Sequence, residues 1–575
     1  MNLFRLLSTR RARKAASYEI DPEDVFLDSE NLSALDTDQL QGQLERPLPV
    51  HVFYATIIVT LLLTLAFSYR LFSMQVIDGE VYQEKSDNNH LRRIPLFALR
   101  GTISDRNGKI LAWNSLAYST STEVVTTDKD IPKRLYTETK GFSHLLGYVS
   151  YPKRDQSGIF WQDEYIGKDG VEKSYQEQLA GVKGERIIEV TALREIEAQN
   201  VVVYPTNGEN LVLSIDKDVQ AKLYESIESL AKEVGFTGGA GVIMDVRNGE
   251  ILAVTSYPEY SNTLITNAVT KEEKARVGEE LVDKRQKFLD RAVSGLFVPG
   301  STVKPFFAYA ALEEGIIDPE TSIYSSGALV IENKYGGPDT IFKDWKKHGY
   351  VNMRQAIAAS SDEYFYQIGG GYKDQQGLGI KRLKEYAERF GFATTTGIDL
   401  PGEEYGVIPS PEWKMKLFEE DWLVGNTYHS SIGQYGFQVT PLELVRGVAS
   451  IANGGYLVKP HVLKGIDMPA QDINLNQKYL KVIQEGMRMA VVSDIGTGKG
   501  LRINGVEIAA KSGTAELGVS KQLVNSWITG YFPYENPKYA FVVVMEKGSR
   551  NNLKGVVFAA RQTIEWMRDT TDYTK

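Results

Sequence analysis

A serine hydroxyl set three residues before a lysine, at the mouth of an apolar helix, can carry out acyl transfer without histidine or cysteine. Val298-Pro-Gly-Ser301-Thr-Val-Lys304-Pro-Phe-Phe-Ala-Tyr-Ala-Ala-Leu has that form. Pro299 and Gly300 interrupt the preceding chain, and the apolar run predicts a helix opening at Ser301, with Lys304 one turn on and on the same face. A hydroxyl is a poor nucleophile until a base takes its proton, and a lysine can be that base if burial and cationic neighbours depress its pKa from about 10.4. Unpaired N–H groups at a helix start carry partial positive charge and stabilise an oxyanion. The spacing alone is common, since Ser150/Lys153, Ser214/Lys217 and Ser229/Lys232 share it. Only the Ser301 copy follows a Pro-Gly break and opens an apolar helix.

Two further segments offer complementary chemistry. Lys511-Ser512-Gly513-Thr514, after the apolar Ile508-Ala-Ala, predicts a strand whose glycine lets a substrate backbone approach closely. There Lys511 adds positive charge near the nucleophile, and Thr514 is able to donate to a substrate carboxylate. Ser360-Ser361-Asp362 lies between two helical runs. It has the make-up of a helix cap, but Ser360 can also relay a proton to a leaving group, and Asp362 can orient Lys304 or Lys511.

The elements that must position these residues form an α+β arrangement. From about Gly208 the chain predicts a separate domain, beginning with LVLSIDKDVQ and an amphipathic helix through Ala231. Gly241-Val-Ile-Met-Asp and Glu250-Ile-Leu-Ala-Val flank Arg247-Asn248-Gly249, a hairpin signal. A second hairpin is expected where Asn525-Ser-Trp-Ile-Thr-Gly-Tyr-Phe and Lys538-Tyr-Ala-Phe-Val-Val-Val-Met flank Glu535-Asn536-Pro537. Hairpins make antiparallel sheet, so one antiparallel sheet packed with helices is expected. Residues 70–206 read as a mixed spacer with short strands and turns such as Arg106-Asn107-Gly108.

Val50 to Tyr69 contains no Asp, Glu, Lys or Arg, and about twenty helical residues span the roughly 30 Å of a bilayer core. The lead-in is too long for a signal peptide, so residues 50–69 read as a membrane anchor and residues 1–49, basic and then acidic, as a disordered tail. The 575 residues carry no cysteine, which excludes thiol catalysis, disulfides and thiolate zinc sites. A formal charge of −9 argues against nucleic acid as a partner. Nothing in the sequence calls for a cofactor.

The order Ser-x-x-Lys, Ser-x-Asn/Asp, Lys-[Ser/Thr]-Gly resembles that of penicillin-binding proteins and serine β-lactamases. Arg100-Gly-Thr-Ile-Ser-Asp-Arg-Asn-Gly108 and Gly167-Lys-Asp-Gly-Val-Glu-Lys-Ser-Tyr-Gln-Glu-Gln-Leu-Ala-Gly181 resemble pedestal signatures of class B penicillin-binding proteins, as do Ile432-Gly-Gln434 and Thr440-Pro441 farther on. The resemblance implies a tail over 1–49, a transmembrane helix over 50–69, a dimerisation-type pedestal over 70–206, and a transpeptidase domain over 208–575 with a five-stranded antiparallel sheet and helices. It implies Ser301 as the acylated nucleophile, Lys304 as its base and Ser360 as proton shuttle. Lys511, Ser512, Gly513 and Thr514 then belong to the substrate-binding strand, and the backbone N–H groups of Ser301 and Thr514 to the oxyanion hole. Asp362 replaces the usual Asn, as in the subgroup resembling penicillin-binding protein 2, the elongation enzyme, which Lys343-Asp-Trp-Lys-Lys-His-Gly349 also resembles.

The resemblance further implies crosslinking of peptidoglycan stem peptides at the outer side of the cytoplasmic membrane and acylation by β-lactam antibiotics. The implied partners are a polytopic membrane glycosyltransferase of the shape/elongation/division family and other elongation-complex proteins. Asp344 and His348 resemble metal-binding positions of some relatives, but without a cysteine to complete the set they are expected to form a solvated polar turn, with no metal. A β-lactamase, a D,D-carboxypeptidase and a penicillin-sensing receptor are the rival readings. The long spacer disfavours the first two, and a single span disfavours the third.

Overall fold

The computed structural model of the protein describes residues 49–83, 91–115, 131–155, 160–190, 196–334 and 336–575. The proposed tail, save its last residue, lies outside them. The described residues divide into two units, one before and one after the boundary at residues 89 and 90.

In the first unit, helix α1 (Val50–Phe72) continues through a π-helical turn over Ser73–Ile77. This helical segment, Val50–Ile77, is long and apolar enough to cross a membrane, and none of α1 is buried. It runs past the Tyr69 end read from the sequence, because Arg70 is carried within the last turn.

The second unit begins with two small sheets. Leu91–Leu96, Gly184–Val190 and Ile196–Val203 form an antiparallel sheet in the order first, second, third. Ile103–Ser104, Ile110–Ser115 and Lys133–Tyr136 form an antiparallel run, entered through the Arg106-Asn107-Gly108 turn, where Gly108 has φ +83°. Leu211–Val212, assigned from the sequence to the C-terminal part, pairs in parallel with Ile103–Ser104 and completes this sheet. Behind it, Glu172 lies between two buried guanidinium groups. Arg134 Nε donates to it at 2.6 Å, Arg100 Nε donates to its other oxygen, and all three side chains are at most 1% exposed.

Helix α2 (Lys217–Val234) opens on Asp216, which accepts from the Asp218 and Val219 amides, and closes on Gly235 in the left-handed region. It leads into a five-stranded antiparallel sheet: β1 (Gly238–Asp245), β2 (Ile251–Tyr257), β3 (Ala509–Leu517), β4 (Leu523–Phe532) and β5 (Tyr539–Ser549), in the order β2-β1-β5-β4-β3. Both expected hairpins are present, as β1–β2 and β4–β5.

Alternation along β5 explains how one apolar run serves two layers. Ala540, Val542 and Val544 enter one core with the helices that carry the candidate site. Phe541, Val543 and Met545 enter a second core with α2 and with α3, which spans Val557–Thr570. With both faces covered, the strand has no polar side to show.

His144 ties the smaller sheets to the larger domain: its Nε2 lies 2.9 Å from the Lys287 carbonyl, and its ring meets Tyr260 edge-on at 5.2 Å. Burial lowers its pKa from 6.5 to about 4. Because the folded value lies below the unfolded one, this contact is at full strength above about pH 6.5 and weakens as the pH falls toward 4, by on the order of 3 kcal/mol. His144→Gln is therefore expected to lose less stability than the natural chain between pH 7 and pH 4, measured by denaturant melts at both. Equal losses would contradict this.

Candidate active site

Ser301 sits in a 3-10 turn, Gly300–Val303, that runs directly into helix α4 (Lys304–Glu313). Side chains three apart eclipse in a 3-10 turn, which keeps Ser301 and Lys304 on one face. The turn is anchored from several sides. Trp527 Nε1 on β4 donates to the Val298 carbonyl at 2.9 Å, and Phe297 and Val439 exchange backbone bonds. The Gly300 amide donates to the Gly433 carbonyl at 3.0 Å, and a β-carbon at Gly433, φ +72°, would stand 2.2 Å from the Gly300 carbonyl oxygen, which accounts for the glycine of Ile432-Gly-Gln434. Gly300 has φ +55°, and a β-carbon there would stand 2.7 Å from the Thr514 carbonyl oxygen, so the turn lies directly against β3.

Gly513 corrects a sequence expectation. Its missing side chain makes room for protein, not for substrate: a β-carbon would stand 2.7 Å from Thr302 Cγ2 and 2.9 Å from the Pro299 carbonyl oxygen. Gly513→Ala must push the Ser301 turn away from β3. Because a misplacement of about 1 Å at reacting atoms costs roughly 10²-fold, acylation by a labelled β-lactam is expected to slow by about that factor. An unchanged rate would show that the turn relaxes freely.

Lys304, Ser360, Asp362 and Lys511 come together. The Lys304 amine is fully buried and donates to Asp362 Oδ1 at 2.6 Å, to the Ser360 carbonyl at 2.8 Å and to Ser360 Oγ at 3.4 Å. From β3 the buried Lys511 amine donates to the same Ser360 Oγ at 2.7 Å and to the Ser512 carbonyl at 2.7 Å. One hydroxyl thus lies between two amines. Burial first, and then the Lys304 charge, push the Lys511 amine well below the usual lysine range, with Asp362 opposing. Burial raises the Asp362 carboxyl above its ordinary value although the Lys304 charge pulls it down.

Among the described residues, the half-buried Ser301 hydroxyl makes no hydrogen bond. Ser512 Oγ donates to Thr497 Oγ1 at 2.7 Å, and Thr514 is exposed on the strand.

Ser360 owes its position to the backbone. It ends helix α5 (Met353–Ala359) at φ +57°, and Ser361 caps the next helix, α6 (Asp362–Gly370), by accepting from the Tyr364 amide. A non-glycine residue held in the left-handed region persists only where its surroundings fix it. Here the Ser360 carbonyl is fixed by Lys304 and by Trp345 Nε1 at 3.3 Å.

The expectation of a solvated turn at Asp344 and His348 is overturned, because their side chains are 0% and 2% exposed. Asp344 accepts from Ser361 Oγ at 2.8 Å, from the Glu363 amide at 2.9 Å, from the Trp345 amide at 2.7 Å and from Ser325 Oγ at 3.3 Å, with His348 Nε2 at 3.3 Å. Burial alone would raise its carboxyl. The His348 bond, the Glu363 amide, the Lys304 charge and Ser361 outweigh that and hold it well below the usual carboxylate range. An anion buried at the start of α6 complements that helix end. Sequence reasoning missed Asp344, Ser361 and Trp345 as supports of Ser360; the Asp-x-x-x-His spacing was the one signal present. Among the described residues no group of three or more His, Asp or Glu is arranged to hold a metal ion.

Comparison with known proteins bears on this arrangement. The penicillin binding protein transpeptidase domain family matches residues 239–562, and the penicillin-binding protein dimerisation domain family matches residues 121–213. The peptidoglycan D,D-transpeptidase MrdA of Acinetobacter baumannii is 30% identical, over 86% of this chain and 84% of that protein. The penicillin-binding protein PBP2 of Helicobacter pylori, solved in complex with MreC, superposes with TM-score 0.68 at 27% identity, over 83% of this chain and 99% of that one. A chain of a peptidoglycan synthase complex that coordinates polymerization and crosslinking superposes with TM-score 0.69 at 25% identity, over 90% of this chain and 98% of that one. A two-amine cradle around one hydroxyl beside a serine turn, carried on a sheet and helices matched over more than half of the chain, leads to one assignment: the chain belongs to the penicillin-binding proteins, in the class B group resembling penicillin-binding protein 2.

Proposed function

We propose that the protein is a peptidoglycan D,D-transpeptidase that crosslinks stem peptides during cell-wall elongation through an acyl-enzyme on Ser301. The observation that carries this reading is the Ser360 hydroxyl held between the amines of Lys304 and Lys511 next to the Ser301 turn. In the first half-reaction Lys304 accepts the Ser301 proton as Oγ attacks the penultimate D-alanine carbonyl of a donor stem. The backbone N–H groups of Ser301 and Thr514 stabilise the oxyanion. The peptide C–N bond breaks, and Ser360 passes a proton to the departing D-alanine amine. In the second, an amine of an acceptor stem attacks the ester, gives up its proton along the same path, and returns the hydroxyl to Ser301. Lys511 and Thr514 receive the donor's terminal carboxylate on β3, and Asp362 keeps the Lys304 amine in place.

We further divide the chain into a cytoplasmic tail over 1–49, an anchor helix over 50–77, a pedestal that ends with Leu211–Val212 and a transpeptidase domain from there onward. The protein is single-pass, with the catalytic domain outside the cytoplasmic membrane. A polytopic glycosyltransferase supplies the glycan polymer, and an MreC-type protein is a further partner. The reading is supported by the MrdA relative and by the MreC and synthase complexes of the structural neighbours. The test is incubation of the full chain with a labelled β-lactam. A covalent adduct that persists for many minutes is expected, whereas rapid turnover with free hydrolysed product identifies a β-lactamase instead.

A further inference from the structure

Beside Ser360 the domain turns large aromatic side chains outward. Ile323–Ser325 and Gly349–Val351 pair antiparallel, with Tyr324 opposite Tyr350. Strand alternation puts Ile323 and Val351 inward, at 9% and 4% exposed, and the two tyrosines outward, at 44% and 73%. Their rings lie 5.0 Å apart. Trp345, 56% exposed, lies in the turn between Thr340–Lys343 and Gly349–Val351, and its indole N–H is the one that reaches the Ser360 carbonyl. Lysines interleave with these rings: the Lys347 amine stands 5.6 Å from the Tyr324 ring centre and the Lys346 amine 5.3 Å from that of Trp345, and Lys343 is exposed nearby in sequence. The patch is tied to the site by the Ser325 to Asp344 bond at 3.3 Å and by the Asp344 amide on the Gly327 carbonyl at 2.9 Å.

We propose that Tyr324, Trp345 and Tyr350, with Lys343, Lys346 and Lys347, dock the glycan strand that carries a stem peptide to the site. This rests on the transpeptidase reading and names the part of the substrate other than the stem peptide. A pyranose ring presents a flat face of C–H bonds that stacks on an aromatic face, and its hydroxyl rim accepts and donates hydrogen bonds. Carboxylates on the lactyl-linked stems meet the lysine amines that stand around the rings. A protein partner fits less well, because lysine is depleted from the buried centres of protein interfaces, and here it accompanies two of the three rings. Free amines beside aromatic faces suit a ligand that combines apolar faces with dispersed negative charge.

The test uses the full chain in detergent, titrated by calorimetry with a neutral hexamer of β-1,4-linked N-acetylglucosamine and with a peptide-bearing peptidoglycan oligomer of matched length. A portion of each sample is acylated with labelled β-lactam. Both glycans are expected to bind, and Tyr324→Ala with Tyr350→Ala is expected to weaken both at least tenfold. Lys346→Glu with Lys347→Glu, two exposed changes with little effect on folding, is expected to weaken the peptide-bearing oligomer at least tenfold and the neutral hexamer by less than threefold. If the wild-type chain is acylated but binds neither glycan, or the tyrosine variant binds as wild type, the docking proposal is overturned while the enzymatic reading stands. If the wild-type chain is not acylated, both fall.

Discussion

Lys304→Met is expected to slow acylation by a labelled β-lactam roughly 10³-fold, the middle of the range that a positioned proton acceptor supplies. The substitution also leaves Asp362 without the Lys304 amine that bonds it at 2.6 Å in a mostly enclosed site, so part of the loss reflects rearrangement around Ser360. Lys304→Arg separates the two effects. A guanidinium keeps a cation for Asp362 but does not give up its proton in proteins, so it cannot serve as a base. If Lys304 takes the Ser301 proton, the arginine variant is as slow as the methionine variant while melting close to wild type. If the amine serves only as the ion-pair partner of Asp362, the arginine variant recovers most of the rate. Stopped-flow acylation rates and melting temperatures of the two variants decide between these outcomes.

Glu172→Ala is expected to cost about 3–5 kcal/mol, the penalty for stranding buried charge when one member of an ion-paired cluster is removed. Its two partners, Arg100 and Arg134, are at most 1% exposed, and among the described residues Arg100 Nη1 and Arg134 Nη2 already lack a hydrogen-bond partner. Among the described residues, Glu172 is the one carboxylate bonded to both guanidinium groups. Arg100 also donates to the Glu172 carbonyl at 2.7 Å, so both ends of the residue are used. The loss is expected first in the smaller sheets, as earlier proteolysis within residues 90–213 and a lower first transition in calorimetry. A loss below about 1 kcal/mol would mean that water or a rearranged side chain replaces the carboxylate.

The parts of this architecture that depend on local pattern were readable without coordinates. The Pro-Gly break before Ser301 marks a helix start, the Arg247-Asn248-Gly249 and Glu535-Asn536-Pro537 segments mark hairpins, and Lys511 falls on an apolar strand. Ser360 was also readable as a residue between two helices, although its left-handed backbone was not, since nothing in Ala-Ala-Ser-Ser-Asp distinguishes a left-handed C-cap from continued helix. What sequence could not supply was burial and long-range approach. Asp344, Lys346, Lys347 and His348 together look like a wet turn, yet Asp344 points inward to the start of α6, where five donors compensate its charge, while its lysine neighbours point out. The reason for Gly513 was misjudged for the same cause. Its close neighbour is the Pro299–Thr302 turn, more than two hundred residues away in the chain, and no local pattern reveals that contact.

A transpeptidase of this kind is acylated at Ser301 Oγ. Intact-protein and peptide mass spectrometry after incubation with a β-lactam tests this directly. A single adduct on the peptide containing Ser301, absent from Ser301→Ala under the same conditions, is the predicted result. An adduct that persists in Ser301→Ala, or that maps to Ser360 or Ser512, would contradict it.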